Sequence, residues 1–412
     1  MVPEGWRLST LGSLLSSPLK NGYSPIAPEQ PTGIWVLALN ALTGSGFDGA
    51  AVKAAPDNGE VQRAMLQKGD FLISRANTPE RVGYSAMFRD EVENCSYPDL
   101  MMRFRPDETI AYPEYLEQKL WSQPVKSQLR SAAAGTSKSM VKLNKAAIEK
   151  TKLLLPPLPE QKKIAEILGT WDRAIEVAEK QLKNAEAQKR ALMQHLLTGT
   201  HRLKGFEGSE WKTVKLGDVC DILVGHPFNS SGFSESGVKL VRGSNVKRGR
   251  LDWSQNITRC WSDTKGFERY LIEKDDILIA MDGALVGSSH AFVDCVQDNP
   301  MLLVQRVARL RAKPNACPSF LYALIESPQF QKHVEATKTV TAIPHISNKD
   351  IQNYHVLNPS ADEQLQIGDA FKNARLQILI LTGKLNHLRT EKRALMQQLL
   401  TGKKRVKVEE AA

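Results

Sequence analysis

Few strings in this chain have the residue types and spacing for chemistry. Pro106-Asp107 followed by Glu117-Gln118-Lys119 has the form of the P-D…E-x-K pattern that holds a metal for phosphodiester cleavage. Placement argues against it: Glu117 and Lys119 fall on a short helix rather than on a strand facing the aspartate. A second copy of the same region, described below, carries Asn315, Tyr322 and Leu324 instead. Asn358-Pro359-Ser360-Ala361 lacks the second proline and the aromatic residue of an adenine methyltransferase motif. Neither Gly383-Lys384-Leu385 nor Gly402-Lys403-Lys404 completes a phosphate loop. The histidines form no H-x-x-x-H pair, and Cys95, Cys220, Cys260, Cys295 and Cys317 are odd in number and never paired as C-x-x-C. No catalytic residue, metal site or disulfide framework is expected, and a reducing cytoplasm fits.

Residue types suited to nucleic acid are more plentiful. Lys and Arg (55) exceed Asp and Glu (45), for a net charge of +10 and an isoelectric point near 9.2. That surplus favours a polyanionic partner, with a merely basic protein as the alternative. Phosphates attract Lys, Arg, Ser and free backbone N–H groups, whereas base edges are read by Arg, Asn, Gln, Asp and Glu. Loops of this character include Arg75, Asn77 and Thr78, then Ser137, Lys138 and Lys142. Further along come Arg242, Ser244, Asn245 and Lys247, then Asp282, and then Thr341, His345 and Ser347. These are the candidate DNA-binding residues; an ordinary solvated or turn role is the alternative for each. The basic stretches Thr200–Lys204 and Lys403–Lys407 read first as solvated helix ends, because cations there are favourable without any ligand.

The elements that must position these loops are strand-like apolar runs at Ile34–Leu39, Phe71–Ser74, Ile277–Ala280 and Leu302–Leu310, broken by Gly, Pro, Asn and Asp. A short helix recurs at Glu114–Ser122 and Ser319–Ser327, each followed by a proline, Pro124 or Pro328. The globular parts therefore read as mixed α/β, in an α+β chain.

The chain repeats itself. Lys189-Arg190-Ala191-Leu192-Met193-Gln194 recurs 203 residues on as Lys392-Arg393-Ala394-Leu395-Met396-Gln397, and Glu160-Gln161 recurs at the same offset as Glu363-Gln364. Upstream, Trp6…Leu11-Gly12 matches Trp211…Leu216-Gly217. Each copy ends in a seam stepping by four and three: Ile164, Leu168, Trp171, Ile175 and Leu182 in the first, Ile367, Phe371, Ile378, Leu381 and Leu385 in the second. Even the one charged seam position recurs, as Lys189 and Lys392.

These observations divide the chain into a first globular domain (1–155), a central helix (156–205), a second globular domain (206–358), a C-terminal helix (359–402) and a tail (403–412). A seam this long must be covered. The other copy's helix, of equal length and free to pack antiparallel, is the expected partner under a pseudo-twofold axis; a second chain is the alternative. A helix of about 40 residues spans ~60 Å, so the domains are expected at opposite ends of a rod. No run approaches the ~18 apolar residues of a membrane span, and the opening residues carry no secretory pattern. The chain is expected in the cytoplasm, away from membranes.

The string Leu155-Pro156-Pro157-Leu158-Pro159-Glu160-Gln161, the seam helix, Lys-Arg-Ala-Leu-Met-Gln-x-Leu-Leu-Thr-Gly, and the twice-occurring Trp…Leu-Gly opening resemble the specificity subunits of type I restriction-modification systems over essentially the whole chain. The resemblance implies a non-catalytic subunit with two target-recognition domains, each reading one half of a bipartite double-stranded DNA site. It also implies paired helices that fix the gap and dock two modification (methyltransferase) subunits, with restriction (translocase and nuclease) subunits joining that core. S-adenosylmethionine, ATP and Mg are expected on the partners and no cofactor on this chain. The second helix departs slightly, entering through Asn358-Pro359-Ser360-Ala361 rather than a double proline. A stand-alone bipartite DNA-binding protein is the other reading.

Overall fold

The computed structural model describes residues 2–137, 140–296 and 300–408. The chain forms two compact units, Met1–Ala178 with Lys384–Ala412, and Glu179–Gly383. Each unit thus combines one globular domain with part of both long helices.

In the first unit, Phe71–Ser74 is the buried spine of a four-stranded sheet, flanked by Met101–Phe104 and Ser85–Met87, with Lys20–Asn21 at the edge. All four residues of Phe71–Ser74 are buried, which is why this strand reads as an unbroken apolar run rather than an alternating one. A second sheet orders Val52–Ala55, Ile34–Leu37 and Cys95–Ser96, the last two parallel. Arg7–Thr10 pairs with Lys152–Leu155, so the first strand of the domain meets its last.

The second unit repeats this plan. Ile277–Ala280 lies between Val307–Ala312 and His290–Phe292, with Cys220–Val224 at the edge. Val238–Val241 runs parallel to Met301–Leu303, and Lys212–Lys215 pairs with His355–Asn358. Two equivalent glycines hold close backbone approaches. A Cβ at Gly22 would lie 2.1 Å from the Tyr97 carbonyl oxygen, and one at Gly225 would lie 2.3 Å from that of Val304.

Three sequence expectations change in detail. The strand expected over Ile34–Leu39 stops at Leu37. The apolar run Leu302–Leu310 is two strands in different sheets, Met301–Leu303 and Val307–Ala312, split by a turn whose Val307 N–H donates to Val304 O at 3.2 Å. The recurring short helix spans Pro113–Trp121 and Pro318–Glu326, and Pro124 and Pro328 do not end the helical segment. They sit in the first turn of a further helix, Gln123–Ala132 or Pro328–Thr337, where a missing N–H costs nothing. Ser327 is the hinge residue, its hydroxyl accepting from Phe330 N–H at 3.2 Å.

Both long helices have 39 residues, Leu158–Leu196 and Ala361–Leu399. The turn beyond each reaches a left-handed glycine, Gly199 (φ +70°) and Gly402 (φ +72°), the usual helix stop. Ile164, Leu168, Ile367, Phe371 and Leu385 are buried, and Trp171, Ile175, Leu182, Ile378 and Leu381 are half-buried. In the first unit Ile164 and Leu168 share a core with Leu399, Leu400, Tyr115 and Leu120. Ion pairs fix the sense of packing there: Glu160 binds Arg405 and Asp172 binds Lys392, so contacts move down one segment as they move up the other. The two segments are antiparallel. In the second unit Ile367 and Phe371 share a core with Met193, Leu196, Leu197 and Phe320. There Glu363 binds Arg202, and Lys189 and Arg375 meet at Glu326. Among the described residues no helix is long and apolar enough to cross a membrane.

Candidate nucleic-acid interface

Two loops in each domain carry most of the candidate residues: one follows the buried central strand, the other precedes the long helix. The fold joins them. In the first unit, Ala76–Asn77 pairs with Met140–Lys142, setting Lys142 opposite Ala76. In the second, Asp282 forms the equivalent bridge with His345. The positions correspond, but lysine beside alanine in one copy becomes histidine beside aspartate in the other.

In the first unit, Thr78 and Lys142 are exposed and Arg75 is half-buried. Asn77 turns inward instead. It is 8% exposed; its amide nitrogen donates to Leu39 O and Ser74 Oγ, and its amide oxygen accepts from Thr78 N–H at 2.9 Å. Its donors and acceptor are occupied by the fold, so it is not available to a base. Lys138 lies outside the described residues, as does the side chain of Ser137.

In the second unit a cleft of about 730 Å³ collects Arg242, Ser244 and Lys247 from one stretch of chain and Asp282 from another. Ser244 is exposed; Arg242, Lys247 and Asp282 are half-buried. Arg242 packs over the Phe233 ring at 5.8 Å and donates to Ile257 O; burial, and then Arg259, lower its pKa. Asp282 pairs with Arg306 at 2.8 Å on the same cleft. Asn245, nominated beside them, is wholly buried. Its amide oxygen accepts from Arg242 N–H at 3.2 Å and its nitrogen donates to Asp252 O at 3.0 Å, making it the brace of the 242–252 loop rather than a reader. Thr341, His345 and Ser347 are exposed. His345 Nδ1 is 2.9 Å from Thr339 Oγ1, Thr341 donates to Ile343 O, and Ser347 caps the helix Asn348–Gln352 through a capping box with Asp350.

The P-D…E-x-K string is dispersed into structural roles. Asp107 accepts from Thr109, the buried Glu117 carboxylate accepts from Met87 N–H at 2.8 Å and from Arg89, and Lys119 Nζ donates to Leu400 O. Burial lowers the Lys119 pKa to about 8.

Sequence reasoning missed a duplicated clamp. Glu160 accepts from the Trp6 indole at 3.1 Å and from both arms of Arg405; Glu363 accepts from the Trp211 indole at 2.9 Å and from both arms of Arg202. Arg202 and Arg405 lie in the basic stretches after the two helices, so these two guanidinium groups are committed internally. The signal was present, since all three partners recur in the internal repeat.

Sequence and structure comparisons agree with this architecture. The family model for the type I restriction modification DNA specificity domain matches twice, over residues 3–187 and 208–390. A type I restriction enzyme MjaVIII specificity subunit of Methanocaldococcus jannaschii is 31% identical over 68% of this chain and 68% of its own length. The EcoKI specificity subunit of Escherichia coli is 23% identical over 89% of this chain and 81% of its own. In fold, the crystal structure of a type I restriction-modification S subunit from M. genitalium aligns with a TM-score of 0.66 at 14% identity, covering 97% of this chain and 96% of that one.

Proposed function

The chain belongs to the type I restriction-modification DNA specificity family, and from that premise we propose that it reads a bipartite DNA target, one half-site per globular domain, for a complex whose chemistry resides in other subunits. The observation that carries this reading is the twice-built junction between strand-end and pre-helix loops, with Lys142 and Ala76 in one copy and His345 and Asp282 in the other. One scaffold presenting unlike side chains at equivalent places suits two unlike half-sites. The chain itself is a non-catalytic subunit.

Two modification subunits bind S-adenosylmethionine and methylate, and restriction subunits use ATP and Mg; all act in the cytoplasm on DNA that this chain selects. The long helices serve as spacer and dock. Leu376, Leu379 and Ile380 form an exposed apolar face on the second helix, at the one-turn spacing that places side chains together. Exposed apolar clusters of this kind mark partner surfaces, and we assign this one to a modification subunit.

Reconstitution tests the proposal. Modification subunits co-purify with the chain, and S-adenosylmethionine-dependent methylation of a bipartite sequence appears only when the chain is present. If the lone chain binds a bipartite site tightly and recruits no modification subunit, the stand-alone reader replaces this account.

A further inference from the structure

Among the described residues, four that are not glycine have left-handed backbone conformations: Asp90 (φ +65°), Asn94 (φ +50°), Asp275 (φ +68°) and Arg306 (φ +66°). Aspartate and asparagine tolerate that region because their short polar side chains bond locally. Arginine has no such relief. Arg306 is the third residue of the Val304–Val307 turn, the place where a positive φ ordinarily selects glycine. The equivalent turn of the first unit is closed by Met101 N–H to Pro98 O at 3.0 Å and has Leu100 at this place, outside the left-handed region. The fold therefore does not itself require the strained conformation.

The surroundings hold Arg306 firmly. Its carbonyl accepts from Met281 N–H at 2.8 Å, and Gln305 N–H before it donates to His226 O at 2.9 Å. The side chain is 65% exposed along the cleft, with one guanidinium nitrogen 2.8 Å from the Asp282 carboxylate. Asp282 is itself fixed by its backbone bridge to His345. A residue kept in a costly conformation, with its side chain presented and braced, is the pattern of a recognition group.

The brace also narrows the ligand. A phosphate-binding arginine is weakened by a carboxylate at contact distance, because the pair is close to neutral. A base-reading arginine gains from it, because one anchored edge orients the remaining donors of the fork. That fork matches the paired acceptors O6 and N7 on the major-groove edge of guanine.

We propose that Arg306 reads a guanine in the half-site recognised by the second unit, with Asp282 as the residue that positions its guanidinium. The proposal rests on the chain's being a DNA reader, as argued above.

The test uses the chain assembled with its modification subunits and maps methylated sequences for the wild type, Arg306→Gly, Arg306→Lys and Asp282→Asn. Glycine is at home at φ +66°, so Arg306→Gly keeps or raises the thermal midpoint. It nevertheless loses discrimination for one G·C pair, by about tenfold to a hundredfold, in one half-site only. Arg306→Lys keeps the charge but not the fork and shows the same relaxation; Asp282→Asn shows a smaller one at the same pair. An Arg306→Gly complex that still requires every base of its site overturns the proposal, as does a uniform fall in methylation across all sequences, which marks a phosphate contact. A wild-type complex that methylates without sequence preference overturns the underlying reading as well, which separates the two failures.

Discussion

Replacing Glu326 with alanine is expected to destabilise the second unit by about 3 kcal/mol or more. Glu326 closes the recurring short helix where the domain meets the long helices, and its carboxylate lies 2.7 Å from Lys189 and 3.7 Å from Arg375. All three side chains are largely buried, at 10%, 16% and 17% exposure. Arg375 also packs over two ring faces, Tyr322 at 4.8 Å and Phe292 at 5.3 Å, and among the described residues both its terminal nitrogens lack a hydrogen-bond partner. Nearby His290 adds no third positive charge, because burial pushes its pKa down to about 4 and leaves it neutral. Without Glu326 two cations are left close together and poorly solvated.

The first unit solves the same junction with other residues. Lys392 there pairs with Asp172, on the opposite helix segment, and covers the Trp121 ring at 5.2 Å. Asp172, Trp121 and Lys392 occupy the places of Arg375, Glu326 and Lys189. Combining Glu326→Trp with Arg375→Asp copies that arrangement into the second unit and is expected to recover most of the lost stability. Urea unfolding reads both variants. A loss below about 1 kcal/mol, the range of exposed pairs, or a double variant no better than the single one, contradicts this account of the junction.

Changing Leu379 and Ile380 together to glutamate is expected to abolish complex assembly while leaving the fold intact. These side chains are 68% and 60% exposed, so replacing them removes little buried contact within the chain. Glutamate also has a helix propensity at least as good as that of leucine's branched neighbours. Two carboxylates in a face that must lose water on association carry a desolvation penalty that no apolar partner surface repays. The expected result is an unchanged thermal midpoint, no co-purifying modification subunit, and methylation at background. Full methylation by the variant complex places the docking surface elsewhere.

The parts of this structure that were legible in the sequence are those governed by period and repetition. Four-and-three spacing marked the seam from Ile164 to Leu182 and from Ile367 to Leu385, because burial against one partner demands it. The common offset of Glu160 and Glu363 tied the two copies together. Continuous apolar runs located Phe71–Ser74 and Ile277–Ala280, since those strands are buried on both faces.

What was not legible depends on direction rather than type. Asn77 and Asn245 have the chemistry of base readers, yet both amides close loops inside the domain. Pro124 and Pro328 marked where the recurring short helix gives out but not that a second helix begins there, because proline is as welcome in a first turn as it is unwelcome in an interior one. Arg306 carried no signal, since nothing local announces a left-handed arginine. The acid that meets the repeated lysine stands on the long helix in one copy, Asp172, and on the short helix in the other, Glu326, and each pairing joins residues far apart in the chain that only the fold brings together.

The central claim is that each globular domain answers to its own half of one DNA site. Exchanging residues 1–155 for the corresponding domain of a relative with a different target, and sequencing the methylated positions produced by the reconstituted complex, tests it most directly. The account predicts a new sequence in one half-site, with the other half unchanged to the last base. Alteration of both halves, or of neither, contradicts it.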